Sequence, residues 1–287
     1  MWWSIARTDT QVIELDIEYE HKGDEFTVLL QSDIHFDHPK CDRKLYFNHL
    51  DEAVKRKAGI FCAGDFLCLM QGRNDRRSSK DSIRKEHNKG DYFDAVTSDS
   101  ATQIAEYAKH FIGFSDGNHE TAVVKNVETN PLSRMVLDLN ANHGGKIEHL
   151  PYQCFVIFKF RWKGGGSVRR CIMAVHHGKW GGVVSKGVQG AARYSAIYPQ
   201  ADIVLSGHTH DYWVLPVTMY DINQSGKVKL RNQYHVKTGT YKNEFKDGSG
   251  FAVEKIVVPK PMGSWWMKLS PRGKGVDINF EMCQNKY

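Results

Sequence analysis

Five short polar clusters in this chain carry donor atoms that could work together. They are Asp33-Ile34-His35, Gly64-Asp65, Gly117-Asn118-His119-Glu120, His176-His177-Gly178 and Gly207-His208-Thr209-His210. Together they offer carboxylates, imidazoles and one amide oxygen, with no thiolate. That donor set suits manganese, iron, zinc or a similar divalent ion. Asp33 and His35 are two residues apart, so an extended segment aims both the same way, and His208 and His210 repeat the spacing. Glycines at 64, 117 and 207 permit tight turns and close backbone approach. One D-x-H or H-x-H pair arises often by chance. Five clusters in series, each after an apolar run, do not.

The apolar runs are the elements that must hold these clusters. Residues 26–31 read as a buried strand, 48–57 as a helix and 60–63 as the next strand, a βαβ pattern that implies parallel strands with a right-handed crossover. Residues 101–108 and 131–139 read as helices, and 110–115 as a strand between them. Residues 11–19 alternate as a strand does. The second half is richer in strands, predicted over 154–162, 170–175, 201–205, 212–217, 227–237 and 251–258, with a short helix closing at 195–199. Each polar cluster therefore falls at a strand end, where α/β folds collect ligands. Residues 238–241 read as a plain turn, with shaping of the pocket as the alternative, and Lys179-Trp180-Gly181-Gly182 as a candidate substrate-facing loop.

A chain of 287 residues with 41% hydrophobic and 25% charged residues is globular, which excludes a disordered or fibrous protein. One α/β domain over residues 1–287 is expected, with no motif in 259–287. The six cysteines form no C-x-x-C pair and several sit in apolar runs, so they read as free thiols in a reducing compartment. No apolar run approaches the roughly 18 residues that cross a bilayer, and the first residues lack a signal-like apolar core. The expected location is cytoplasmic. The net charge of +6 favours an anionic partner. Residues 71–89 hold seven Lys and Arg against three acids, within an insertion at about 71–100 where Arg76, Arg77 and Arg84 are candidate contacts to an anionic substrate; a solvated basic loop is the plainer reading.

The order of the clusters resembles the calcineurin-like metallophosphoesterase superfamily, whose pattern is D-x-H, G-D, G-N-H-D/E, a His after a strand, and G-H-x-H. All five blocks occur between residues 33 and 210; the third reads GNHE where GNHD is commoner. The resemblance implies an α/β fold of two mixed β-sheets packed face to face as a sandwich flanked by helices, the four-layer metallophosphoesterase-like arrangement. It implies two divalent metal ions, manganese foremost, with iron, zinc, nickel or magnesium as alternatives. Asp33, His35 and His210 would hold one ion, and Asn118, His208 and a fourth-block histidine the other, with Asp65 bridging. His176 is favoured in the fourth block as the first polar residue after its strand. His177 is the alternative, because a one-residue slip at a strand end reverses side-chain direction. His119 would act as the catalytic residue, protonating the leaving oxygen or stabilising charge on it. Asp37 and His38 would back the ligands or face substrate. His21, His49, His87, His110, His143, His149 and His235 are expected to be surface or hydrogen-bonded residues.

The expected function is thus a dinuclear metal-dependent phosphoester hydrolase acting on a phosphorylated substrate. The basic insertion tilts this toward a phosphodiesterase or nuclease acting on nucleotides or nucleic acid. The alternatives are a phosphoprotein or small-molecule phosphomonoesterase, and a non-catalytic binding module using the same fold.

Overall fold

A computed structural model describes residues 2–71, 78–79, 82–179, 181–182, 184–222 and 225–284. Arg76, Arg77 and Trp180 lie outside the described residues. In chain order the strands are β1 (Trp2–Asp9), β2 (Val12–Tyr19), β3 (Phe26–Gln31), β4 (Gly59–Ala63), β5 (Phe111–Ser115), β6 (Glu148–Leu150), β7 (Gln153–Trp162), β8 (Arg169–His176), β9 (Ile203–Ser206), β10 (Trp213–Ile222), β11 (Val228–Lys237), β12 (Gly263–Arg272) and β13 (Gly275–Gln284). The helices are α1 (Arg43–Lys55), α2 (Tyr92–Ile104), α3 (Asn118–Val127), α4 (Pro131–Asn142), α5 (Gln189–Ile197) and the one-turn α6 (Phe251–Glu254).

One sheet has the order β1-β2-β7-β8-β9-β11-β10, the other β13-β12-β3-β4-β5-β6. Both are mixed. In the second sheet β3, β4, β5 and β6 run parallel, while β12 is antiparallel to β3. In the first, β8, β9 and β11 run parallel to one another and β7 is antiparallel to β8. The side-chain alternation of a strand decides the layers. Phe26, Val28 and Leu30 of β3 enter a core between the sheets with Ile13, Leu15 and Ile17 of β2 and Val156, Phe158 and Phe160 of β7. Leu29 points the other way, into a second core with Leu45 and Leu50 of α1, Ala101 of α2 and Met135 of α4. A smaller cluster seats Tyr194 of α5 on Ala174 and Val204, on the outer face of the first sheet. Helices, sheet, sheet and helix make four layers, the architecture expected from the resemblance.

Two segments depart from the expected elements. Residues 251–258 are not a strand. Their β-branched composition suggests one, but β11, the preceding strand, already has β9 and β10 on its two edges. The segment turns into α6 instead, and Val257 N donates to Ala252 O at 2.9 Å. Residues 259–287 carry no motif, yet β12 and β13 form a hairpin that extends the second sheet. Trp265 of β12 faces the inter-sheet core and Trp266 the helical core. Among the described residues no helix is long and apolar enough to cross a membrane.

Candidate metal centre

Because β3, β4 and β5 run parallel, their carboxyl ends share one edge of the second sheet, and β8 and β9 bring theirs to the same place from the first. Backbone hydrogen bonds knit the loops across the gap. Asp33 N donates to Gly64 O at 3.1 Å, His35 N to Asp65 O at 3.1 Å and Gly207 N to His177 O at 2.7 Å. His208 N donates to Asp33 Oδ2 at 2.9 Å, which ties the two sheets together at the site. The backbone is unusual here. Asp33, His35, Asp65, His208 and His210 all have φ between 50° and 71°, in the left-handed region that side chains other than glycine seldom adopt. Strain of this kind gathers where the surrounding structure enforces a functional geometry. Gly117 is required for a different reason: a Cβ there would overlap the Asp65 carboxylate.

Two groups of donors result. Asp33, His35 and His210 offer ligand atoms within 4.8 Å of one another, and so do Asp65, His177 and His208. Asn118, the first residue of α3, points its amide oxygen at His208 Nδ1 at 2.6 Å. His35 Nε2 and His210 Nε2 face each other at 3.4 Å. Asp33 Oδ1 lies 3.3 Å from His210 Nε2, and His177 Nε2 lies 3.1 Å from Asp65 Oδ2, but both Asp33 Oδ1 and His177 Nε2 are buried without a formed hydrogen bond. Buried polar atoms are almost always paired, so these two orphans within the cluster fit the part of cation ligands. The residues present therefore suit two divalent ions. Burial, aided by His119 and Lys242, drives His35 well below the ordinary histidine range, so it is neutral, the form that ligates metal. Burial would also lower His177, but the Asp65 and Asp33 carboxylates outweigh it and hold the ring up at about 9. A bound ion would take that proton's place. Burial works to raise Asp65, yet the His177 and His119 rings keep it well below the usual carboxylate range.

His176, the expected fourth-block ligand, is not brought to this cluster. It packs outside with Tyr152 and Tyr194, at ring distances of 5.1 and 5.6 Å. His177 is the residue turned inward, with Nδ1 2.8 Å from Ala63 O. The cause is strand alternation: Met173 and Val175 of β8 face the inter-sheet core, and the next residue on that side is His177.

His119 sits over the cluster, its ring 4.9 Å from that of His35 and its Nε2 3.7 Å from Asp65 Oδ2. Its Nδ1 donates to the Cys68 carbonyl, which leaves Nε2 facing the cluster. Cys68 also falls within ligand reach of His35 and His119. Burial raises its thiol well above the ordinary range. Asp37 does not face the cluster. It accepts from Cys68 N, Leu69 N and Tyr92 Oη at 2.5, 3.0 and 2.8 Å and so pins the loop after β4. His38 is buried, and burial with Lys242 and Arg84 holds it down at about 3. Arg84 is half-buried beside it, with Nη2 3.3 Å from Cys41 O.

Three further groups support the cluster. Glu120 is wholly buried and accepts from Asp65 N at 3.1 Å, Leu67 N at 3.0 Å and Gly117 N at 2.8 Å. The E of GNHE therefore caps α3 and fixes the Asp65 loop; burial and the nearby Asp65 push its carboxyl up to about 8. Lys237, at the end of β11, is buried and holds Gly207 O at 2.6 Å. Thr240 Oγ1 and Tyr241 N both donate to Asp33 O, at 2.8 and 3.1 Å, so the 238–241 turn buttresses the first ligand loop. A further group, Glu86, His87 and Asp99, lies elsewhere. Arg43 already supplies a cation there, with Nη2 3.2 Å from Asp99 and Nη1 3.9 Å from Glu86.

No protein-family model and no curated protein sequence matches this chain. Solved structures do resemble it. Vacuolar protein sorting 29 from Cryptosporidium parvum is 13% identical over 91% of this chain and 99% of its own, with a TM-score of 0.40. The zinc complex of Vps29 from Entamoeba histolytica is 10% identical, covering 90% and 99%, with a TM-score of 0.38. GAP50, the anchor in the inner membrane complex of Plasmodium, is 11% identical, covering 92% and 90%, with a TM-score of 0.44. At this level of likeness the site rests on this chain's own residues.

Proposed function

We propose that this chain is a two-metal phosphoester hydrolase of the calcineurin-like metallophosphoesterase type. Asp33, His35 and His210 would hold one ion and Asn118, His177 and His208 the other, with Asp65 as the ligand between them. The observation that carries this reading is the convergence of these donors from five loops around the two orphaned atoms, Asp33 Oδ1 and His177 Nε2. When bound, two divalent ions supply a water of lowered pKa and neutralise phosphate oxygens. The chain's own residues do the rest. The crossed loops and their left-handed backbone hold the donors together. His119, fixed through Nδ1, presents Nε2 to the leaving oxygen and gives it a proton. The net charge of +6 and the basic stretch support a nucleotide or nucleic-acid phosphodiester as substrate, with Arg84 and the neighbouring Arg76 and Arg77 as its contacts.

The test is hydrolysis of bis-p-nitrophenyl phosphate and p-nitrophenyl phosphate with added manganese. Diester turnover is expected, abolished by Asp65→Ala. His119→Ala is expected to keep its metal and lose about 10²–10⁴ in rate. Preference for the monoester would instead identify a phosphomonoesterase. Bound metal with no turnover of either would identify a binding module.

A further inference from the structure

The hairpin of β10 and β11 runs past the sheet that faces it. Val214 and Val236 pair across the hairpin, Val236 within the inter-sheet core and Val214 packed against it. Side chains two residues apart share a face, so that inner face continues through Tyr220 and Ile222 on β10 and through Tyr234, Leu230 and Val228 on β11. Tyr234 still meets Phe280 of β13, at a ring distance of 5.5 Å. Beyond it the cover ends. Tyr220, Ile222, Val228 and Leu230 are 84, 69, 67 and 65% exposed. Tyr220 stands opposite Leu230 and Ile222 opposite Val228, which gathers the four into one patch. Cross-strand contact steadies the hairpin but leaves the outward side of each pair in water.

The opposite face of the same hairpin is occupied. Asp221 pairs with Lys229 at 3.0 Å, and Arg231 Nη1 donates to Ala201 O at 3.0 Å. Every charged side chain of β10 and β11 lies on that outer face, and the inner face has none. With a net charge of +6, two copies of the chain repel through much of their surface. The bare inner face adds nothing to that repulsion, and it offers a charged partner nothing to pair with. Its four apolar residues leave on the order of 500 Å² uncovered, a patch of the size that marks a contact site. A two-fold contact uses the same patch on both copies, so it buries about 1,000 Å², the lower limit for a specific interface. Pro216 and Thr218, exposed on the same face, add to that area.

We propose that two copies of this chain associate through the inner faces of their β10–β11 hairpins, about a two-fold axis that sets each Tyr220–Leu230 pair against its twin. The patch lies at the end of the hairpin away from the metal loops, which Lys237 holds at the other end through Gly207 O. The proposal therefore stands apart from the hydrolase reading. The test is sedimentation velocity of the full chain across micromolar concentrations. A shift from 32.8 kDa toward twice that mass is expected as concentration rises. Leu230→Glu places two charges in one symmetric interface and is expected to raise the dissociation constant about 10²-fold or more. Leu137→Glu, at an equally exposed position on α4, is expected to leave it unchanged. Hydrogen exchange of the unaltered chain covers the case in which Leu230→Glu fails to fold. Amides of residues 216–222 and 228–232 should slow as concentration rises, while those of β1, at the opposite edge of the same sheet, should not. A monomer at every concentration overturns the proposal, as does a dimer that Leu230→Glu leaves intact or that Leu137→Glu breaks equally. Co-sedimentation of such a monomer with phosphatidylcholine vesicles would give the face to a lipid surface instead.

Discussion

At the fourth cluster a single peptide unit separates a histidine that faces the metal centre from one that does not. His177 shares its side of the chain with Met173 and Val175, while His176 follows Ala174 outward. His177→Ala should therefore lower the metal content of dialysed protein from two ions toward one, read by atomic emission. His176→Gln should leave it unchanged, because its ring packs between Tyr152 and Tyr194 and accepts from Gly178 N at 3.1 Å without entering the cluster. The reverse pattern would reassign the ligand. Val175 could have given this reading from the sequence, since counting in twos from the last apolar core residue lands on 177.

Among the elements, α3 carries more of the site than its length suggests. It opens with Asn118 and His119, and Glu120 then gathers three buried backbone N–H groups from two loops. Glu120→Ala leaves all three without an acceptor. At about 1–3 kcal/mol for each unsatisfied group, a loss on the order of 3 kcal/mol or more is expected in urea unfolding. An unchanged midpoint would show that water or a neighbour replaces the carboxylate. The role was not legible in the motif, where a fourth-position acid reads as a variant of Asp. Only the distance from α3 back to the β4 loop shows why the longer acid fits.

Across the whole molecule two buried histidines away from the metal centre make stability depend on pH. His49 joins α1 to β12 through Tyr241, whose Oη lies 2.7 Å from both His49 Nδ1 and Ser264 Oγ. His235 joins β11 to Ser195 of α5 at 3.0 Å. Burial holds each down at about 4, against an unfolded value near 6.5. Below about pH 6.5 the unfolded chain takes up protons that the folded chain refuses until about pH 4. Stability should therefore fall as pH drops through that window, on the order of 2 kcal/mol per histidine. The double variant His49→Gln, His235→Gln should show a flatter urea midpoint between pH 6.5 and 4. Parallel curves would place the acid sensitivity elsewhere.

The sequence by itself determined the donor types, their order and the strand ends that bear them, because strand and turn chemistry is local and the five clusters lie within a few residues of their strands. Through the family resemblance the order of the clusters also carried the two-sheet architecture, with residues 26–31 read as a buried strand, 60–63 as the next and 11–19 as an alternating one. It did not determine the roles of Glu120 and Lys237, or how the 238–241 turn meets the first ligand loop. Each of these depends on contacts between segments far apart in the chain, such as Thr240 on Asp33 or Glu120 on Asp65. The same holds for the left-handed backbone at Asp33, His35, Asp65, His208 and His210. Asp and His enter that region more readily than most side chains, but the crossing of loops from two sheets fixes it at these five.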